Sequence, residues 1–365
     1  MTAPLYKIAC TTGLAGLMLT GVATAAEIKV GIVVPLTGQL ASEGRDLENA
    51  IKLAFAQANA NGDTFTTVTA DDACDPQQAV TAASKLVSEG VVAVVGGYCS
   101  GAVLPTMQIY GDAKIPFVVP AANSTKLVEA NPGNVFMINS TGAAQAESAV
   151  ELFEKNGYQK VVIVDEGDAY SADLARLTAA AFREAGGEIV ATDTVAAGEQ
   201  DFSAVVTNIR SHGADAVFWT AYHSGAALLT RQLRQAGFQG GIVLGDGSNS
   251  PEYIEIAGSA GNGVYIFSPP MLEFLAGAVE FTESYRAAYD RDPGAYAALA
   301  FDGGSLVADA IARAGSTDYD AIIEALKSSK LEGLAGHIEF TDQNTLAGSN
   351  FATLVLEDGQ WRLAE

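Results

Sequence analysis

Basic residues are scarce in this chain. It carries 20 Lys and Arg against 43 Asp and Glu, a formal net charge of −23, with only 3 histidines. A chain so acidic has no general field with which to grip nucleic acid or an anionic membrane surface. No Walker-type lysine loop, no His-Glu-x-x-His, no Gly-x-Gly-x-x-Gly after a strand and no zinc-type cysteine pairs occur, so neither a metal nor a cofactor is expected. After Val22 no apolar run approaches the length of a membrane span.

What is present begins with a leader. Lys7 supplies a positive end, Ile8 to Val22 is apolar and uncharged, and Ala23-Thr24-Ala25-Ala26 offers small residues for cleavage. Residues 1–26 therefore read as a secretory signal peptide, and the rest as an exported, monomeric protein. Of the 3 cysteines, Cys10 falls in the leader, leaving Cys74 and Cys99. In an oxidising compartment such a pair reads as a disulfide, contributing roughly 3 kcal/mol for a loop of this length. About 340 residues exceed what one core usually supports, so two domains are expected.

The most informative stretch is Val91 to Asn123. It reads as a buried strand (Val91–Val95), a turn, a helix and a second buried strand (Phe117–Val119). Valine-rich runs without alternation, bounded by Gly and Pro, point to a parallel sheet covered on both faces. Upstream, Ile28–Val34 and Phe65–Ala70 read as strands, with helices at Arg45–Asn59 and Gln77–Glu89. After Thr141 the series restarts: strands at Lys160–Val164, Gly187–Thr192 and Ala214–Trp219, helices at Ala172–Ala185 and Phe202–Ser211. Tyr98-Cys99-Ser100-Gly101-Ala102 is echoed by Tyr222-His223-Ser224-Gly225-Ala226 at the end of a strand in the second half. Helices at Phe281–Asp290 and Tyr296–Ala314 and a last strand near Phe351–Leu356 follow. The expected fold is α/β: two Rossmann-like lobes with parallel-sheet cores, joined by a hinge of several crossovers. The lobes are assigned to 27–141 plus 269–345 and to 142–268 plus 346–365.

In such sheets the loops at the carboxyl ends of the strands form the ligand crevice. Ser100, at a helix start, offers a hydroxyl and amides suited to a carboxylate. Ala121 offers a carbonyl, and Asp246 in Gly245-Asp246-Gly247 a carboxylate, both suited to an ammonium. Tyr170 and Tyr222 can close over the ligand. Gly97-Tyr98-Cys99-Ser100-Gly101 also has the form of a nucleophile elbow, which would make Cys99 the nucleophile of a hydrolase, although a disulfide partner stands against it. Asp71-Asp72-Ala73-Cys74-Asp75 lacks the glycine and spaced carboxylates of a calcium loop and reads as capping around the bridge.

Asp71-Asp72-Ala73-Cys74-Asp75-Pro76, Gly97-Tyr98-Cys99-Ser100, Val119-Pro120-Ala121-Ala122 and Ala197-Gly198-Glu199-Gln200-Asp201-Phe202 together resemble the periplasmic leucine/isoleucine/valine-binding proteins, type I solute-binding components of ABC transporters. Tyr222-His223 matches a pair in the corresponding loop. The resemblance implies a type I periplasmic binding fold that closes about its hinge on an amino acid, branched-chain by default, and delivers it to an inner-membrane ABC permease. It places Ser100, Ala121 and Asn123 at the head group from the first lobe and Tyr170, Tyr222 and Asp246 from the second. There are departures. Asn123 stands where threonine is usual and Asp246 where glutamate is usual. Glu43 and Tyr98, which flank the side-chain pocket, replace an aromatic and an aliphatic residue. A carboxylate there is costly beside a leucine side chain, so a polar or cationic amino acid or a small amide competes with the default. A ligand-sensing receptor with the same site is a further alternative.

Overall fold

The computed structural model describes residues 1, 27–62 and 64–364. The leader expected at 1–26 lies almost wholly outside them. Among the described residues no helix is long and apolar enough to cross a membrane.

The first half alternates strand and helix. β1 (Ile28–Val34), β2 (Phe65–Asp71), β3 (Ala93–Gly96), β4 (Phe117–Val119) and β5 (Val135–Met137) form one parallel sheet in the order β2-β1-β3-β4-β5. The helices between them are α1 (Ala41–Ala60), α2 (Pro76–Ser88), the short α3 (Ser100–Val103) and α4 (Met107–Asp112), and α5 (Thr125–Glu129). β3, β4 and β5 are buried at every position, as their uninterrupted apolar composition requires. Asp75 starts α2 by accepting from Gln77 N and Gln78 N, with Pro76 in the first turn. The acidic run before it is capping and turn chemistry. Asp71 accepts from the amides of Leu36 and Ala73, and Asp72 from that of Cys74.

The second half repeats the plan with α6 (Gly142–Lys155), β6 (Lys160–Asp165), α7 (Ser171–Glu184), β7 (Glu188–Thr194), α8 (Ser203–Ser211), β8 (Ala216–Trp219), α9 (His223–Gln235), β9 (Gly241–Leu244), α10 (Pro251–Ala257) and β10 (Tyr265–Ser268). The strands from β6 to β10 run parallel in the order β7-β6-β8-β9-β10, the counterpart of the first sheet. β3 and β8 therefore occupy equivalent central positions. The loops carrying the Tyr-x-Ser-Gly-Ala echo leave equivalent strand ends.

The chain then returns to the first unit. α11 (Ala278–Tyr289), α12 (Ala297–Ala314) and α13 (Tyr319–Lys327) bury their apolar faces in its core, where Leu306, Val307 and Ile311 pack with Leu47 and Ile51 of α1. A small hairpin follows, β11 (Lys330–Glu332) with β12 (His337–Glu339). The chain crosses once more to β13 (Ala352–Glu357) and β14 (Gln360–Leu363), which extend the second sheet antiparallel beyond β10. The sequence reading expects only the first of these two strands. The turn at Asp358-Gly359 is short and both flanking segments are half polar, which hides the hairpin. Three crossovers join the lobes, and Asn350 in the third bonds Ser140 in the first.

Candidate binding cleft

The loops after β3 and β4 lie side by side, because Ala122 N donates to Gly97 O and Ser124 N donates to Ser100 Oγ, at 3.1 and 3.3 Å. Gly97 has φ +90, a conformation that admits this sharp turn and that side chains resist. Facing them are the loops after β6, β8 and β9, which carry Tyr170, Tyr222 and Asp246. Ser100, Ala121, Asn123, Tyr170 and Asp246 are each buried, and Tyr222 is half-buried between them. Ser100 begins a helix of only four residues, shorter than the sequence suggests, since Leu104-Pro105-Thr106 tightens the next turn to 3₁₀ geometry.

Asp246 is the centre of the arrangement. Its Oδ1 accepts from Tyr170 Oη at 2.8 Å, and its Oδ2 accepts from Tyr296 Oη at 2.9 Å, Asn123 Nδ2 at 3.0 Å and Asn139 Nδ2 at 3.3 Å. Asn123, Asn139 and Tyr296 belong to the first lobe, so the lobes are shut in this structure and meet on one carboxylate. Burial pushes the Asp246 carboxyl above the usual range, opposed by the hydrogen bonds from Tyr170, Tyr296 and Asn123. Among the described residues no lysine or arginine pairs with it. Asn139 also donates to the Ala121 carbonyl at 2.9 Å.

Tyr296 and Asn139 are missing from the sequence-based set. Tyr296 sits at the start of α12, far along the chain, and looks like an ordinary core aromatic. Asn139 lies in the first crossover, with no motif around it. Tyr98, Tyr170, Tyr222 and Tyr296 form a chain of rings, with centroids 6.1 Å apart for Tyr98–Tyr222, 5.5 Å for Tyr170–Tyr222 and 5.3 Å for Tyr98–Tyr296. Glu43 lies in the first turn of α1, which begins at Ala41, four residues before the expected start; Gly44 does not interrupt it. Its Oε1 is 3.3 Å from His223 Nδ1 on the opposing α9. Glu43 and Tyr98 are thus at the cleft, beside His223, Tyr222 and Tyr296.

Cys74 and Cys99 are bonded, with Cα atoms 5.4 Å apart. This removes the thiol that a Cys99 hydrolase requires. A chamber of about 290 Å³ lies between the lobes next to the bridge, lined by Gln39, Leu40, Gly101, Glu166, Asp168 and Tyr222 among others. Burial pushes Glu166 up to about 7, with Asp168 and Asp165 adding to the effect. A more open groove of about 510 Å³ runs past Met271, Phe274 and Trp361. Among the described residues its only charged ones are Glu273 and Arg362, so the cleft is the stronger candidate.

Two lobes of like topology, several crossovers and a polar cleft between opposing strand ends define a solute-binding protein. The family profile described as periplasmic binding protein matches residues 27–360. The chain belongs to that family. It is 30% identical over 346 residues to a Leu/Ile/Val-binding protein homolog of Brucella melitensis, covering 92% of this chain and 93% of the relative. It is 26% identical over 329 residues to the leucine-, isoleucine-, valine-, threonine- and alanine-binding protein of Pseudomonas aeruginosa, covering 89% and 88%. Among solved structures it resembles a branched-chain amino acid transporter substrate-binding protein from Streptococcus pneumoniae in complex with isoleucine. That match has a TM-score of 0.84 at 28% identity and covers 93% of this chain and 99% of the other.

Proposed function

We propose that the protein captures an α-amino acid between its lobes in the periplasm and presents it to an inner-membrane ABC permease. The observation that carries this reading is Asp246, a buried carboxylate surrounded by neutral donors from both lobes and without a counter-charge. An uncompensated buried charge is costly, and a ligand ammonium at this point supplies the missing cation. The Ala121 carbonyl has a second lone pair for the same ammonium. In this reading the Ser100 hydroxyl and the Asn123 amide serve the ligand carboxylate. The ligand would then contact both lobes and favour the shut form. The names of the relatives make branched-chain amino acids the first class to assay.

Calorimetry against the twenty amino acids tests the reading. Asp246→Asn should weaken the binding found by at least tenfold, and Ser100→Ala likewise. Affinity unchanged in Asp246→Asn would remove the head-group assignment.

A further inference from the structure

Among the described residues, several buried polar atoms around Asp246 have nothing to bond, Asn139 Oδ1 and the Gln145 amide among them, and three more lie toward α1. Glu43 Oε2, Tyr98 Oη and His223 Nδ1 lack hydrogen-bond partners, although their residues are only 7%, 5% and 4% exposed. Native interiors rarely leave such groups unmatched. These three are neighbours. Glu43 Oε1 approaches His223 Nδ1 across the cleft without the alignment of a hydrogen bond. Burial pushes the Tyr98 hydroxyl well up, and the nearby carboxylates of Glu43 and Asp246 add to it. Its ring is edge-on to that of Tyr296, which bonds Asp246. Through Tyr98, the unmatched atoms of Glu43 and His223 are linked to the surroundings of Asp246.

The charges around Glu43 are mostly of its own sign. Asp46 lies one turn along α1 and Glu252 at the start of α10, with His223 opposite. Arg291 is paired to Asp46 at 2.9 Å. The positive end of α1 supplies about half a unit charge, which offsets a carboxylate only in part. On the other side, the chamber wall carries Glu166 and Asp168 and, among the described residues, neither lysine nor arginine, and Asp168 Oδ2 is again unpartnered. An aliphatic side chain in this setting would leave every one of these atoms unmatched and drier still.

We infer that the cleft selects an amino acid with a cationic side chain, an ammonium or guanidinium, with Glu43 as the specificity carboxylate and the Tyr98 hydroxyl as a second partner. The inference rests on the amino-acid reading above and fixes the side-chain end of the same ligand. His223, left without a bond by Glu43, can turn its ring to accept or donate once the cation occupies Glu43. A charge-assisted bond of this kind is among the stronger ones available to a binding site.

Calorimetry of the exported protein with L-arginine, L-lysine and L-leucine tests it. Arginine or lysine is expected to bind at least tenfold more tightly than leucine. Glu43→Gln, which keeps the shape and removes the charge, is expected to lower that affinity tenfold or more. Glu43→Leu should shift the preference toward leucine. If leucine, isoleucine or valine binds the unaltered protein more tightly than both basic amino acids, the side-chain assignment is overturned while the amino-acid reading stands. A folded Glu43→Gln that keeps the basic preference overturns it as well. Binding of no amino acid at all overturns both. The comparison on the unaltered protein decides the matter even where a variant fails to fold.

Discussion

Asp173 on α7 of the second lobe accepts from Thr125 of the first lobe twice, through the amide at 2.8 Å and through the hydroxyl at 2.7 Å. Ser124 adds its hydroxyl to the same oxygen at 2.8 Å, and Arg176 pairs with the other. These bonds hold the Asp173 carboxyl below its usual range despite its burial. The residue touches no part of the proposed ligand site, yet it bridges the lobes only when they are shut.

Asp173→Asn should therefore weaken ligand binding without altering specificity. Bonds to a charged acceptor contribute roughly 1.5–3 kcal/mol, and a less populated shut form lowers apparent affinity in proportion. A loss of about tenfold by calorimetry, equal for every ligand bound, is the expected result. Small-angle scattering of the variant with ligand should show a larger open fraction. A variant with native affinity would mean that Asp173 plays no part in closure.

Gly101 offers a steric route to the same end. A Cβ built there would lie 4.0 Å from Ala169 N on the opposing lobe, the nearest atom it would meet. Alanine should be tolerated. Gly101→Leu should fold, since beyond its own helix and chain neighbours nothing in its lobe is that close, but should bind at least tenfold more weakly because its side chain meets Ala169 on closing. Its melting temperature without ligand reports the fold separately.

The pH response follows from buried carboxyls outside the cleft. Asp302 accepts from Leu334 N and Ala335 N, both at 2.7 Å, and burial pushes it up to about 6. Burial likewise pushes Asp72 to about 6. The unfolded chain titrates these groups near 3.9, so the folded state holds their protons more tightly. Their contribution is complete below the unfolded value and is lost as pH rises through about 6. Stability should thus increase from pH 7 to pH 5, by on the order of 1 kcal/mol per group. Thermal unfolding across that range should be flatter in Asp302→Asn. A native-like slope in the variant would rule Asp302 out as a source.

Reduction of the Cys74–Cys99 bridge should destabilise the first lobe by roughly 3 kcal/mol. Because Cys99 immediately precedes Ser100 and Cys74 holds a left-handed backbone with φ +54, ligand affinity should fall too. Unfolding and calorimetry with and without reductant measure both. An unchanged melting temperature would show that the bridge adds nothing to equilibrium stability.

The strand cores and the paired loops were readable because their signals are local. Val91 to Val95 has no alternation, and the Tyr-x-Ser-Gly-Ala echo sits at two equivalent strand ends. Helix starts were less legible: α1 begins at Ala41 with no side-chain cap to mark it, and it holds Gly44, which packs against the Pro35 carbonyl where a Cβ would clash at 1.6 Å. The residues that gather at Asp246 were legible only in part. Asp246, Tyr170 and Asn123 lie on strand-end loops, where binding residues are expected. Tyr296 and Asn139 reach the same carboxylate from a helix start and a crossover, and only the folded chain brings them there.

The order of the strands along the chain also bears on how the molecule comes into being. Leu354, Leu356 and Trp361, from the hairpin that completes the second sheet, belong to that lobe's core, and α12 covers the first lobe's sheet from a position after the whole second series. Neither lobe is finished by a contiguous piece of chain. A polypeptide threaded through a membrane from its amino end would have to deliver residue 297 and beyond before the first lobe could seal, and residue 352 and beyond before the second could. In such a passage stable structure would be deferred until almost the entire chain had crossed, and the translocating segment would stay loose enough to pass.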